Sequence, residues 1–447
     1  MTSRIQFWLL TIAAILLLVA PVRLGDLAGY DDAVYAHIAK AVVRSGDWVN
    51  IQSNGFPALE HPPGFVWMQA ALFSVFGFSD FLARLPSAVC GVGTVVLVFW
   101  LARRLLNEQA AVLSMLVMLA TPYFIKYTSH GMTDVPFTFL FTAAICAWVK
   151  AEEDARWYAA VSVVTAYALL TRGIVGLAVP ATLLLARRSG WKAWVAIAVA
   201  FLPLVAWYGH QWSVYGNFFW EVQSNFLSDK INGDVAGLRR FSGVFEYAWM
   251  MVQSYWPWLP FLIGGLWLRD KRLSLLVIWC AVMYAACSVG GSRVLRYLLP
   301  AYPAFSIFAA VGLMKWVPER YLRMGVNWLA PTALIVGAGI AVFPPVSLHA
   351  EEIKPIASAV RGVTGETERF AFYDAGQSRF DETGQIQWYG ERTMWILTDA
   401  KGFENALAEP ISKVWVIDAA TYDRYFAPRA GVQIIARSGH LLCVKLT

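Results

Sequence analysis

The sequence predicts an α-helical, multi-pass membrane protein that ends in a small α/β domain, and three observations carry that prediction. Hydrophobic residues make up 58% of the 447 and charged residues only 15%, far from the balance of a soluble domain. Apolar runs that approach the thickness of a bilayer recur at short intervals as far as residue 343. After Pro344-Pro345 the pattern changes abruptly to the mixed, alternating kind found in soluble domains. The expected organisation is a transmembrane domain over 1–345, with a first external loop over 25–86, and a separate soluble domain over 346–447.

About eleven spans are expected, near 7–24, 87–102, 109–125, 135–149, 158–171, 173–186, 193–209, 250–268, 273–289, 297–314 and 327–343. With a cytoplasmic N-terminus, the clusters Arg103-Arg104, Lys150 with Arg156, Arg187-Arg188 with Lys192, Arg269 with Lys271-Arg272, and Lys315 with Arg320 and Arg323 all fall inside. Counting the segment 63–78 as a further span would turn every later basic cluster outward, so it is expected to be re-entrant or to lie on the surface. The spans between 158 and 186 are short for a bilayer of about 30 Å. Many of the 21 tryptophans, such as Trp8, Trp148, Trp157, Trp212, Trp256 and Trp258, sit at segment ends, where their rings favour the headgroup region. The stretch Val22-Arg23-Leu24 lacks a small-residue cleavage pattern, so the first helix is expected to be retained.

The net charge of +6 is accounted for by basic loops on one membrane side and calls for no nucleic acid. Of the five cysteines, Cys90, Cys146, Cys280 and Cys287 lie in apolar runs and Cys443 in the polar tail, expected to be solvent-accessible; no disulfide framework is visible.

The external face then collects the polar chemistry. The first loop carries Asp31, Asp32, His37, Glu60 and His61, the second Lys126, His130 and Asp134. A long third runs over 210–246 and includes Arg239-Arg240, and a fourth carries Arg293 and Arg296. These loops can converge on one external cavity. Adjacent carboxylates at a membrane surface are costly to dehydrate and point to chemistry. The competing reading is an N-cap, with Asp31 or Asp32 satisfying free amides at the start of a helix that continues through Tyr35 and Ile38. Singly, Lys126, His130, Arg239 and Arg240 also read as parts of solvated connectors.

In the soluble segment, 370–373, 394–397, 414–417 and 432–436 read as buried strands, with helical stretches near 385–389 and 402–407. Ser438-Gly439 reads as a hairpin turn into 441–446. Alternation of strands and helices argues for an external α/β sandwich. It has no glycine-rich phosphate loop and no metal-type Cys/His spacing, which leaves packing, lid or acceptor-docking roles.

Several motifs occur in order: Asp31-Asp32-Ala33-Val34-Tyr35-Ala36-His37-Ile38-Ala39, Ser45-Gly46-Asp47-Trp48, Leu59-Glu60-His61-Pro62-Pro63-Gly64, Ala83-Arg84-Leu85-Pro86-Ser87 and Thr133-Asp134-Val135-Pro136. Leu170-Thr171-Arg172-Gly173 and Ser292-Arg293-Val294-Leu295-Arg296-Tyr297-Leu298-Leu299-Pro300 complete the set. Together they resemble the bacterial glycosyltransferases related to protein O-mannosyltransferases and lipid A aminoarabinose transferases, which have the GT-C fold.

The resemblance implies transfer of a sugar from a polyprenyl-phosphate donor to an envelope acceptor, on the external face of the bacterial cytoplasmic (inner) membrane and with inversion. Compatible acceptors are lipid A or core saccharide, a cell-surface glycan, a membrane lipid and a secreted protein. Asp31 matches the family's catalytic acid and is assigned as general base. Asp32 falls where relatives commonly have Glu, and Asp134 matches a second acidic position with a positioning role. Attack at an anomeric carbon also needs cations on the departing phosphate. Arg293 and Arg296 are the first candidates, because a guanidinium fits phosphate oxygens with two bonds, and Arg172 and Lys126 follow. Snorkelling at the interface is the bland alternative for each arginine. Tyr35 and Tyr297 lie within the same motifs. His61 stands where one branch of relatives has Lys, so it joins the phosphate candidates subject to protonation. Glu60 with His61 or His37 could supply a divalent metal site, the one cofactor considered.

Two other classes compete. A transporter or flippase would place charges near the bilayer midplane, often in two related halves, whereas here they gather at one surface. A receptor anchored by its spans would not need eleven of them.

Overall fold

The computed structural model describes the chain except for residues 1, 30, 187–189, 233–241, 344, 347 and 374–378. Tyr30, Arg187-Arg188, Arg239-Arg240 and Pro344 therefore lie outside the described residues. The helices of the first part are α1 (Ser3–Val19), α2 (Asp31–Ser45), α3 (Gly64–Phe76), α4 (Asp80–Leu105), α5 (Glu108–Leu119), α6 (Pro122–Thr128), α7 (Asp134–Ala151) and α8 (Trp157–Arg172). They continue as α9 (Ala178–Leu185), α10 (Trp191–Tyr215), α11 (Asn217–Asn232), α12 (Gly243–Ser254), α13 (Leu259–Trp267), α14 (Ser274–Val289), α15 (Tyr302–Trp316) and α16 (Glu319–Val342). A short hairpin, β1 (Gln52–Ser53) and β2 (Phe56–Pro57), follows α2. The final segment holds α17 (Ile353–Val363), β3 (Phe370–Tyr373), α18 (Arg379–Gly390), β4 (Met394–Leu397), α19 (Ala400–Ala408), β5 (Val414–Asp418), β6 (Val432–Ser438) and β7 (Leu441–Leu446).

The chain divides into two compact units: Met1–Arg23, Leu59–Met68 and Arg84–Pro345 form a helical unit, and Leu24–Ala58, Gln69–Ala83 and Val346–Thr447 form a mixed one. Most of the first loop thus belongs with the C-terminal segment, where the sequence pattern placed all of 1–345 together.

Among the described residues of the helical unit, eight segments are long and apolar enough to cross a membrane, or nine if α5 and α6, bent by 66°, count as one. Two of the eleven expected spans account for the difference. The run Trp157–Leu185 is long and apolar enough to cross as a single segment, but it folds back on itself. Gly173 ends α8 with φ +53° and ψ −122°, and a Cβ on Gly176 would lie 2.9 Å from Leu169 Cα. Seven residues of straight helix would separate those positions by about 10 Å. α8 and α10 accordingly run in the same direction: Ser162 Oγ donates to Ala196 O at 2.9 Å near their starts, and Leu170 and Trp207 share a cluster near their ends. The second short leg is α13, broken from α12 around Pro257 and packed on α15 where glycines let the backbones approach: a Cβ on Gly265 would collide with Phe308 O, and one on Gly312 with Phe261 O. This small-residue contact is how helices associate without a hydrophobic driving force. α3, with 13 residues, is about 20 Å long and short of a bilayer.

The Arg103-Arg104 and Lys150 clusters meet at one end of this unit. Arg103 pairs with Glu108 at 3.0 Å, Arg104 pairs with Glu153, and Lys150 lies over the rings of Trp157 and Trp100 at 4.0 and 5.2 Å. α1 and α16 run parallel, with Gln6 bonded to Asn327 near one end and Leu16 against Gly337 near the other.

The mixed unit is built on a five-stranded sheet of order β4-β3-β5-β7-β6, in which β3 is parallel to β4 and β5 while β7 is antiparallel to β5 and β6. Alternation splits its side chains between two layers. Phe370, Phe372, Val414 and Val416 pack with Ile353, Ile356 and Val360 of α17, and Ala371, Tyr373, Trp415 and Ile417 pack with Phe403 and Leu407 of α19. Cys443 corrects an expectation: it is fully buried against the α17 layer because β7 alternates inward at that residue. Helix α17 itself was not expected, although its buried residues 353, 356, 357 and 360 have helical spacing.

Polar contacts tie α2 and the 69–83 stretch into this unit. Buried Lys40 donates to Trp388 O at 3.2 Å and pairs with Glu391 at 3.0 Å, and Arg44 takes the other Glu391 oxygen at 3.1 Å. Asp80 accepts from Trp388 Nε1 at 2.7 Å and from the Tyr389 hydroxyl at 2.9 Å. Burial alone would raise the Glu391 carboxyl, but Lys40 and Arg44 more than offset it and hold it below the usual carboxylate range.

His37 of α2 faces the opposite balance. Burial first, then Lys40 and Arg44, push its pKa from 6.5 down to about 4. An unfolded chain takes up this proton near pH 6.5 and the folded one only near 4, so the neutral ring stabilises the fold fully above pH 6.5. That contribution is lost as pH falls through the window, reaching about 3 kcal/mol at its foot. Thermal unfolding followed from pH 7.5 to 4.5 should show a steeper loss for the native chain than for His37→Gln. Equal slopes would remove His37 as the cause.

Candidate active site

At the end of the helical unit away from the basic clusters, three elements bring charge together. Asp134 opens α7, where the helix dipole favours an anion, and only 2% of it is exposed. Arg172 closes α8, whose helix ends there because Gly173 takes up the backbone conformation that follows. Its Nη2 lies 2.7 Å from Asp134 Oδ1, and its Nη1 donates to Thr133 Oγ1. Arg296 comes from a 3₁₀ stretch, Leu295–Ala301, with Nε 4.0 Å from Asp134 Oδ2. Tyr297 presents its ring to both guanidiniums, at 5.3 Å from Arg172 and 5.7 Å from Arg296. Two guanidiniums share one carboxylate, so the cluster keeps a formal charge of about +1 in a poorly hydrated setting. Its chemistry is that of an anion site with fixed, forked donors.

The other candidates are placed differently. Arg293 is engaged by Glu246, whose carboxylate is held below the usual range by that bond, and by Ser242 Oγ at 2.7 Å. Lys126 of α6 lies over the rings of Tyr127 and Tyr123 at 5.6 and 5.9 Å, and His130 Nδ1 is 2.8 Å from Lys126 O. His61 stands edge-on to Phe226 at 4.8 Å. The Glu60-His61-Pro62-Pro63-Gly64 segment is pressed onto the end of α8: a Cβ on Gly64 would sit 2.7 Å from Leu170 O, and one on Gly173 would sit 3.2 Å from Pro62 Cδ. The Tyr167 hydroxyl fixes the same segment by donating to Gly64 O at 2.8 Å. Among the described residues, no group of three or more His, Cys, Asp or Glu could hold a metal ion, so Glu60 and His61 gain no further ligand there.

In the mixed unit, Asp31 and Asp32 begin α2. Asp32 is buried, and its Oδ2 accepts from Ala28 N at 2.9 Å, a backbone-satisfying role. Asp31 is only partly buried at the first helical position, and Tyr35 is buried one turn on. Glu246 and Ser242 were not singled out from sequence, and Thr133 entered only as part of the Thr133-Asp134-Val135-Pro136 motif. Residue 246 entered the sequence reading only as the approximate end of the long third loop.

A family model described as dolichyl-phosphate-mannose-protein mannosyltransferase matches residues 60–208. A solved structure of ArnT from Cupriavidus metallidurans bound to undecaprenyl phosphate superposes with a TM-score of 0.77 at 18% identity, covering 99% of this chain and 98% of that one. The chain has the GT-C fold. Among curated relatives, an undecaprenyl phosphate-alpha-4-amino-4-deoxy-L-arabinose arabinosyl transferase of Edwardsiella ictaluri is 25% identical over 69% of this chain. An uncharacterized protein of Aquifex aeolicus is 29% identical over 63% of it. The chain spans about three-fifths of these relatives' length, 59% and 58%. This GT-C chain is thus related to the aminoarabinose and protein mannosyl transferases, and by its apolar helices it is a multi-pass membrane protein.

The shared carboxylate of the GT-C chain's helical unit gives a stability prediction. Asp134→Ala should destabilise the protein by about 3–5 kcal/mol, because it leaves guanidiniums buried without their counter-charge. Adding Arg172→Met should recover part of that loss. Thermal unfolding in detergent measures both, and a double variant no more stable than Asp134→Ala would show that the two residues are not coupled.

Proposed function

We propose that this chain is an integral membrane glycosyltransferase of the bacterial cytoplasmic membrane. It would move a sugar from a polyprenyl-phosphate donor to an envelope acceptor on the external face. The observation that carries the reading is the Asp134 carboxylate shared by Arg172 and Arg296 beside Tyr297: a preformed anion site at one end of a helical membrane unit. A lipid-borne phosphate has to lie at such a depth, since its isoprenoid tail stays in the bilayer. The names of the relatives, which include undecaprenyl phosphate, support the donor class.

In the proposed step, Asp31 accepts the proton of the acceptor nucleophile while that oxygen forms a bond to the anomeric carbon. The bond from the same carbon to the phosphate oxygen breaks, and the electron pair leaves with the polyprenyl phosphate. Arg172 and Arg296 neutralise the growing charge, with Arg293 and Lys126 as further cations. Asp31 is favoured over Asp32 because Asp32 is buried on a backbone amide. The basic end of the helical unit would face the cytoplasm and the segment after Pro345 the exterior.

Release of free polyprenyl phosphate in liposomes, with mass spectrometry of the envelope, tests the activity and identifies sugar and acceptor together. Asp31→Asn should abolish transfer while leaving donor binding, and Asp32→Asn should be milder, since its amide oxygen can still accept from Ala28. Arg172→Ala or Arg296→Ala should cost on the order of 2 kcal/mol in kcat/KM, with Lys restoring only part. Normal single-turnover transfer by Asp31→Asn removes it as the base.

Sidedness needs introduced thiols, because Cys443 is buried. In a cysteine-free background, exposed Glu409→Cys should react with a membrane-impermeant reagent on intact cells, and exposed Arg156→Cys should react only after lysis. The reverse pattern would invert the orientation.

A further inference from the structure

Helix α2, which carries Asp31, is fastened to the sheet through one turn. Asn54 and Gly55 have φ of +55° and +77°, a mirror-image hairpin turn that Asn and Gly adopt at low cost. The turn points the Asn54 carboxamide at the outermost strand, β4. Nδ2 donates to Met394 O and Oδ1 accepts from Met394 N, both at 2.8 Å. One side chain thus supplies both rungs of a strand pairing at Met394, the first residue of an edge strand. The Asn54 backbone N–H donates in turn to His37 Nε2 at 3.4 Å, six residues along α2 from Asp31. The hairpin's second arm is seated independently, with Arg369 over Phe56 at 5.0 Å and over Trp395 at 4.6 Å.

We propose that Asn54 and His37 are positioning residues for sugar transfer, fixing the seat of α2 and with it the place of the Asp31 carboxylate. This rests on Asp31 being the base. The relay works only while His37 Nε2 is an acceptor, that is, with the ring neutral. The charges facing it are Lys40 and Arg44 on α2, answered by Glu391 just past the end of α18, with Asp80 beside Lys40; the hairpin presents the neutral Asn54. Burial and the two cations keep the proton off near neutral pH.

The test is steady-state kinetics of the purified full-length enzyme, normalised to folded protein. Asn54→Gly keeps the turn and removes both amide bonds, Asn54→Asp keeps one, His37→Leu removes the acceptor and His37→Gln retains an acceptor oxygen at similar reach. Asn54→Gly and His37→Leu should lower kcat about tenfold or more while donor KM stays within about threefold, and His37→Gln should return to within about threefold of wild type. Should either of the first two fail to fold, Asn54→Asp with its intermediate kcat carries the measurement. Unchanged kcat with a lower melting temperature would make Asn54 only a fold element and overturn the proposal, as would a loss expressed wholly in donor KM. Fully active Asn54→Gly beside inactive Asp31→Asn overturns this proposal alone. Active Asp31→Asn overturns the base assignment with it.

Discussion

One buried carboxylate organises the helical unit's chemistry. Asp134 can be ionised at 2% exposure because the start of α7 and two guanidiniums replace the water it gives up. Each partner comes from a different part of the chain, and each arrives through a backbone event: the end of α8 at Gly173 and the 3₁₀ stretch after Val294. Remove the carboxylate and both arginines lose the reason to sit where they do. Thr133 and Tyr297 complete the enclosure by taking a guanidinium edge and presenting a ring face.

The mixed unit follows another logic. Its sheet is a conventional two-layer arrangement, but its edge strand β4 takes the side chain of a turn from the first loop at Met394. The loop is held by polar contacts in partly dry surroundings, where a satisfied ion network is specific and an unsatisfied one is costly. Lys40 shows this: 4% exposed, it spends its donors on Trp388 O and Glu391 and lies over the Trp388 ring at 4.0 Å. Most of what the sequence reading took as an external loop of the membrane domain is therefore part of a folded body with the C-terminal segment.

Periodicity made much of this legible. The five strands fall where alternation places them, and the polar residues Lys126, Asp134, Arg172, Arg293 and Arg296 could be assigned to one surface from the basic clusters at the other. Pairing was not legible, because it depends on contacts far apart in sequence. Arg293 and Arg296 look equivalent three residues apart, yet one meets Glu246 and the other Asp134. Cys443 was misjudged because β7 mixes Lys445 with apolar residues, and its inward phase is set by β5, not by composition. α9 and α13 were taken for full spans because apolar composition does not record a fold-back at Gly173 or a break near Pro257. The Asn54-Gly55 turn was readable as a dipeptide, but nothing local tells which strand its side chain meets.

The charge arrangement bears on where catalysis would arise in the proposed reaction. A polyprenyl-phosphate sugar is a phosphodiester with one negative charge, which the net charge of about +1 at Asp134, Arg172 and Arg296 matches. On departure the phosphate becomes a monoester with charge approaching −2, so a site matched only to the diester would bind substrate and product charge unequally. Rate depends on interactions stronger in the transition state than in the ground state. The additional positive charge has to come from groups that are engaged elsewhere in the resting protein. Lys126 rests on the Tyr123 and Tyr127 rings, and Arg293 is answered by Glu246, whose side chain is 43% exposed and can turn to solvent. If Arg293 were to exchange Glu246 for the leaving phosphate, the gain would grow with the second charge. In the proposed reaction that asymmetry would give Arg293 a role distinct from that of Arg172, which pairs with buried Asp134.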